Sequence, residues 1–131
     1  MGEQKELELI LLRQWASHLD MPIFLFAADG TMLFYNEPAE ALVGVRFDEA
    51  GEMPAPRIAR IFKTKNADGS PMPAEELPLT IALKERKPAH RVVRYEGLDG
   101  RHRTVEVTAV PLTAQGRRNL GAVIFFWEAD S

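Results

Sequence analysis

The chain has 131 residues, 46% of them apolar and 27% charged, with a formal net charge of -3 and no cysteine. That length suits one domain able to bury its own core, and the acidic balance argues against a nucleic-acid binder. The lack of cysteine removes disulfides, thiolate metal sites, thiol nucleophiles and thiol redox switching together.

The opening residues are acidic ahead of their apolar part and carry no small-residue cleavage site, so they do not read as a secretory signal. Glu3 to Leu19 reads as a helix, free of Pro and Gly. One apolar stripe comprises Leu9, Leu12, Ala16 and Leu19, and a second, of Leu7, Ile10 and Leu11, lies beside it. The arc is wide enough for one stripe to meet its own sheet and the other a partner chain. Leu7, Leu9, Leu12 and Ala16 are the candidate contacts of a homodimer.

Beyond Pro22 the period changes. Ile23 to Ala27 and Met32 to Tyr35 are apolar, aromatic runs joined by Asp29-Gly30, a hairpin signal because glycine takes positive φ without steric cost. Asn36 then stands where a side-chain oxygen caps a helix running through Glu37, Pro38 and Ala39, with Leu42 and Val43 buried and Gly44 as the left-handed stop. Arg46 to Met53 reads as loop, and Ile58, Ile61 and Phe62 mark a short helix to about Lys63. Asn66 to Pro71 is turn chemistry throughout. A helix starting at Pro78 has Glu75 and Glu76 at its positive end and Lys84, Arg86 and Lys87 at its negative end, as the helix dipole favours. Leu79, Ala82 and Leu83 face inward.

After Pro88 alternation returns, with a strand over His90 to Glu96, a turn at Gly97 to Gly100 and a strand over Arg103 to Leu112. The final run, Leu120 to Trp127, is apolar without alternation, and a strand apolar on both sides is covered on both sides. The middle helices supply one cover and the opening helix the other. The expected fold is therefore α+β: a five-stranded antiparallel sheet with short helices over one face and the N-terminal helix on the other. Residues 1–20 form that capping and dimerisation helix, 21–128 the domain and 129–131 a tail.

Three stretches together resemble the PAS family of bacterial sensor kinases. They are Pro22 to Phe26 with Asp29-Gly30 and Asn36-Glu37-Pro38-Ala39; Asp68 to Leu79 with Ala82-Leu83; and Asp99-Gly100-Arg101 with Thr108 to Leu112 and Gly121 to Val123. The resemblance covers about residues 20–128 and implies a sensory or interaction module. The ending departs from it: the Asp-Ile-Thr with which many members finish is replaced by Trp127-Glu128-Ala129. No kinase, cyclase or helix-turn-helix segment follows, so output is expected through another polypeptide or a missing region.

Chemistry narrows the class further. A flavin–thiol adduct or a thioester-linked chromophore needs a cysteine, and a haem held on the middle helix needs a histidine between Pro78 and Lys87; neither is present. The three histidines lack metal-ligand spacing, and Ser17, Ser70 and Ser131 sit in no nucleophile motif. The cofactor is thus left unassigned, no catalytic residue is named, and a non-enzymatic binding domain is expected in the cytoplasm, contacting neither nucleic acid nor membrane. A small-molecule site belongs between the sheet and the middle helices. Its candidate walls are Phe24, Phe26, Tyr35, Ile58, Phe62, Leu79, Leu83, Val93, Tyr95, Ile124 and Phe126, with Arg57 and His90 as anchors for an anionic group. The alternatives are a solid core in a ligand-free docking domain, and a small α+β cup enzyme.

Overall fold

In the computed structural model, residues 2–61, 64–96 and 100–128 are described. Phe62, the Gly97 to Asp99 part of the expected turn and the tail 129–131 lie outside them. Helix α1 (Gly2–Ser17) leads into β1 (Ile23–Ala27) and β2 (Met32–Tyr35), then α2 (Glu37–Val43), α3 (Phe47–Ala50) and α4 (Ala55–Ile61). After β3 (Lys65–Asn66), a 3-10 turn (Ala74–Glu76) and α5 (Pro78–Lys84) come β4 (Ala89–Glu96), β5 (His102–Thr113) and β6 (Asn119–Glu128). The strands form one antiparallel sheet in the order β2-β1-β6-β5-β4-β3.

The sheet has six strands where five were expected. The addition is β3, whose two residues lie opposite Arg94 and Val93 on the edge of β4. Two residues carry no measurable alternation, so only the turn around them was legible. Similarly, α3 is a single turn inside the stretch read as loop, and it places Phe47 in the core.

Directly opposed residues of an antiparallel pair share a face. Phe24 lies opposite both Tyr35 and Ile124, Val107 opposite Phe126, and Val93 opposite Val105. These form the inner face, over which α5 packs with Ala82 fully buried and Leu79 and Leu83 partly so. The outer face carries Ile23, Leu25, Phe34 and Val123, all buried. Helix α1 lies on this side. Ala16 is buried, Leu12 and Leu19 pack against the core, and the Arg13 guanidinium stands 4.7 Å from the Phe34 ring centroid.

That cover is partial. On the outer side of β4 and β5, His90, Val92, Arg94 and Thr104 remain exposed, and Phe125 and Trp127 at the end of β6 are only half-buried. A single helix about 10 Å wide reaches the β2-β1-β6 half of a six-stranded sheet whose strands are spaced about 4.8 Å apart.

Candidate functional site

The inner face gathers its aromatic residues into one cluster. The Phe24 ring lies 5.3 Å from Tyr35, 4.8 Å from Phe126 and 6.4 Å from Phe26, and Tyr95 lies 6.4 Å from Phe126. Phe24, Phe26, Tyr35, Val93, Tyr95 and Ile124 are buried, and Ile58, Leu79, Leu83 and Phe126 pack around them. Alternation in β1, β4 and β6 places these side chains on one side, and aromatic rings 4.5–7 Å apart pack favourably.

The polar ends within this cluster are engaged by the backbone. Tyr35 donates its hydroxyl to the Val45 carbonyl at 2.7 Å, and Tyr95 donates to the Leu42 carbonyl at 2.7 Å. Arg103 donates to the Leu42 and Ala41 carbonyls, each at 3.1 Å, so the C-terminal end of α2 is held by a cation and a phenol at once. Burial pushes the Tyr35 hydroxyl up to about 12, with the Glu40 and Glu49 carboxylates adding to the effect.

The two proposed anchors are not part of this cluster. Arg57 is exposed on α4. His90 lies on the outer face: its Nδ1 is 2.7 Å from Thr108 Oγ1, its Nε2 3.3 Å from Glu106, and its ring 5.8 Å from Trp127. Strand parity explains the displacement, since Val93 and Tyr95 point inward and a residue an odd number of places away must point outward.

Two concavities lie at the rim of the sheet. One, of about 410 Å³, is lined by Ala41, Leu42, Arg101, His102, Arg103 and Glu128. The other, of about 120 Å³, is lined by Lys65, Gly69, Arg94, Tyr95, Glu96 and His102. Of the candidate pocket walls only Tyr95 borders either. Among the described residues no group of three or more His, Asp or Glu side chains is placed to hold a metal ion.

A second candidate surface lies on α1. Leu7 is 55% exposed, Ile10 49%, Leu11 55% and Trp15 46%. Of the four expected dimer contacts, Ala16 is fully buried within its own domain, Leu12 packs on the core, Leu9 is half-buried, and Leu7 stands open. The stripe through Leu12, Ala16 and Leu19 meets the sheet, leaving Leu7, Leu11 and Trp15, at successive steps of four, on the free side. Trp15 continues the step of four from Leu7 and Leu11, a spacing visible in the sequence.

Asn36 sets where α1 sits. Its Oδ1 accepts from the Ala39 N–H at 3.2 Å, capping α2 as expected, and from the Ile23 N–H at 3.0 Å. Its Nδ2 donates to the carbonyls of Ala16 and Met21, both at 2.9 Å. One buried amide therefore joins the end of α1, the start of β1 and the start of α2. The first role was visible in sequence as a cap; the reach of 20 residues back to Ala16 was not.

The sequence pattern of the PAS fold matches residues 16–129. The chain belongs to the PAS family. Its members serve as signalling and sensory modules. Solved PAS structures agree with this fold. The PAS domain of a Colwellia psychrerythraea protein is 16% identical, with a TM-score of 0.67 over 92% of this chain and 96% of that one. That of nitrogen regulation protein NR(II) from Vibrio parahaemolyticus is 17% identical, with a TM-score of 0.66 over 91% and 98%. The LOV protein of Rhodobacter sphaeroides is 10% identical, with a TM-score of 0.70 over 93% of this chain and 67% of that one. No curated protein matches the chain in sequence. No helix among the described residues of this PAS domain is long and apolar enough to cross a membrane.

Proposed function

We propose that this PAS domain is a non-catalytic signalling module that acts by association, its partner being a second copy of the same chain. The observation that carries this reading is the open apolar row on α1, formed by Leu7, Ile10, Leu11 and Trp15. The engagement of the Tyr35 and Tyr95 hydroxyls by backbone carbonyls supports binding over catalysis, because neither is held ready for a substrate.

Magnitudes indicate how much surface is needed. Covering the exposed half of four large side chains contributes about 1 kcal/mol each, and two-fold symmetry doubles the total to about 8 kcal/mol. Association costs a comparable amount, about 4–15 kcal/mol. The row on α1 alone is therefore marginal, and the open half of the sheet, with Val92 40% exposed and Trp127 half-buried, is its natural extension. With about 1 kcal/mol from each of those two side chains on each copy the gross gain reaches about 12 kcal/mol, and against a cost at the low end of that range, about 4 kcal/mol, a dimer in the micromolar range is expected. Sedimentation velocity up to about 100 μM, well above that affinity, is expected to show concentration-dependent dimerisation. Leu11→Glu combined with Trp15→Glu should weaken it at least about tenfold. A monomer throughout, or an unchanged profile for the double variant, would refute the reading.

A ligand-sensing role has one observation in its favour: Leu79 and Leu83 stay partly exposed where α5 overlies the aromatic cluster, marking the cover most easily displaced. Native mass spectrometry of the purified protein decides between the two. A reproducible small-molecule mass increment supports sensing; an apo dimer supports docking alone.

A further inference from the structure

The two layers that cover this sheet from opposite sides both grip the tip of the same hairpin. From the inner side, Asn119 Nδ2 donates to the Leu83 carbonyl at the end of α5 at 3.4 Å, and Arg86 Nη2 donates to the Arg117 carbonyl. From the outer side, Arg118 Nη2 lies 2.7 Å from Glu8 Oε1 of α1. Residues 114–118, which join β5 to β6, are closed by Ala114 N–H donating to the Arg118 carbonyl at 2.8 Å. Arg86 and Arg117 have φ of 57° and 60°, a left-handed backbone that costs a non-glycine residue about 1 kcal/mol or more. Two residues held in a disfavoured conformation are thus linked to each other by a hydrogen bond.

The attachments of α1 are unequal. Its C-terminal end is fixed by Asn36, buried and with all four hydrogen-bonding positions of its amide used. Half the helix away, the Glu8–Arg118 contact is a part-exposed ion pair, an interaction usually worth about 0–1 kcal/mol and weakened by salt. A helix held firmly at one end and lightly farther along opens from the light end.

We propose that α1 is a hinged arm, with its pivot at Asn36 and its latch at Glu8–Arg118, and that α5 sets the latch through its grip on the β5–β6 hairpin. Displacing α5 from the inner face moves Leu83 and Arg86, withdraws support from Arg117, and shifts Arg118 from beneath Glu8. The arm that is released carries Leu7, Ile10 and Leu11. What it then presents to a partner rests on the association proposed above; the coupling itself does not.

Hydrogen exchange resolved along α1, measured on the whole chain at about 0.1 μM, well below the micromolar affinity expected of the dimer, tests this. Glu8→Gln and Arg118→Ala should each speed exchange over Leu7 to Leu12 about two- to five-fold while leaving Met21 to Ala27 unchanged. Arg86→Ala and Asn119→Asp alter side chains whose hydrogen bonds run to Arg117 and Leu83, yet should speed exchange in the same Leu7 to Leu12 segment about two-fold. The charge-swapped pair Glu8→Arg with Arg118→Glu should restore protection. Unchanged α1 exchange in Arg118→Ala, or no recovery in the swap, would remove the latch. Changes in Arg86→Ala and Asn119→Asp confined to residues 84–90 and 113–120 would show that α5 does not set it. Because exchange is read on the dilute chain, a failure of the dimer in sedimentation leaves this result standing, and the reverse holds as well.

Discussion

Asn36 and Tyr35 are neighbours on the chain that answer to different perturbations. Replacing Asn36 by Ala removes a helix cap, worth about 1 kcal/mol, and leaves the N–H of fully buried Ile23 without the side-chain oxygen that accepts from it. A stranded buried polar group adds about 1–3 kcal/mol, so Asn36→Ala is expected to lower stability by about 3 kcal/mol in urea unfolding. A loss below about 1 kcal/mol would reduce the residue to an ordinary cap. Tyr35 responds to pH. Its hydroxyl titrates at about 12 in the fold and about 10 in the unfolded chain. The folded state therefore holds this proton more tightly. The resulting stability is complete below about pH 10 and is lost as pH rises through about 12. Melting temperature should fall across that window, and less steeply in Tyr35→Phe. Identical slopes for the two proteins would rule out this assignment.

Among the elements, the pairing of β1 with β6 depends on one glycine. Gly121 has φ of 132°, and a Cβ built there would lie 1.9 Å from the Phe26 carbonyl oxygen. Gly121→Ala must push two central strands apart and should cost about 3 kcal/mol or more. Gly116, at φ 73° in the β5–β6 tip, meets nothing within 4 Å of an added Cβ, so Gly116→Ala carries only the backbone penalty, about 1 kcal/mol. Urea unfolding of both variants checks the contrast, and equal losses would contradict it. Element legibility followed length and punctuation. The β1–β2 hairpin announced itself by Asp29-Gly30 between aromatic runs, with Thr31 N–H donating to Asp29 Oδ1 at 2.9 Å. Helix α3 and strand β3, four and two residues long, are shorter than any period that could reveal them.

Across the whole molecule, the unalternating apolar run of β6 required cover on both faces, and that requirement placed α1 opposite α5 before any contact was known. Period two sets Phe24 with Phe26, Val93 with Tyr95, and Ile124 with Phe126 on one side of their own strands, and the strand register brings the three pairs to one face. The division of labour on α1 was not readable in this way. Its apolar arc is wide enough to allow several orientations, and the Asn36 amide, reaching Ala16 and Met21 from the far end of β2, selects the one observed.

From the amino-acid order alone came the α+β class, the antiparallel sheet, the hairpin and the α2 cap, since each depends on local period, turn chemistry or capping. Only the folded chain decided that His90 sits beside Trp127, that Ala16 is an internal contact, and that the β5–β6 tip is held by both α5 and α1. Those outcomes rest on register and on contacts between residues up to 110 positions apart, which no pattern confined to neighbouring residues encodes.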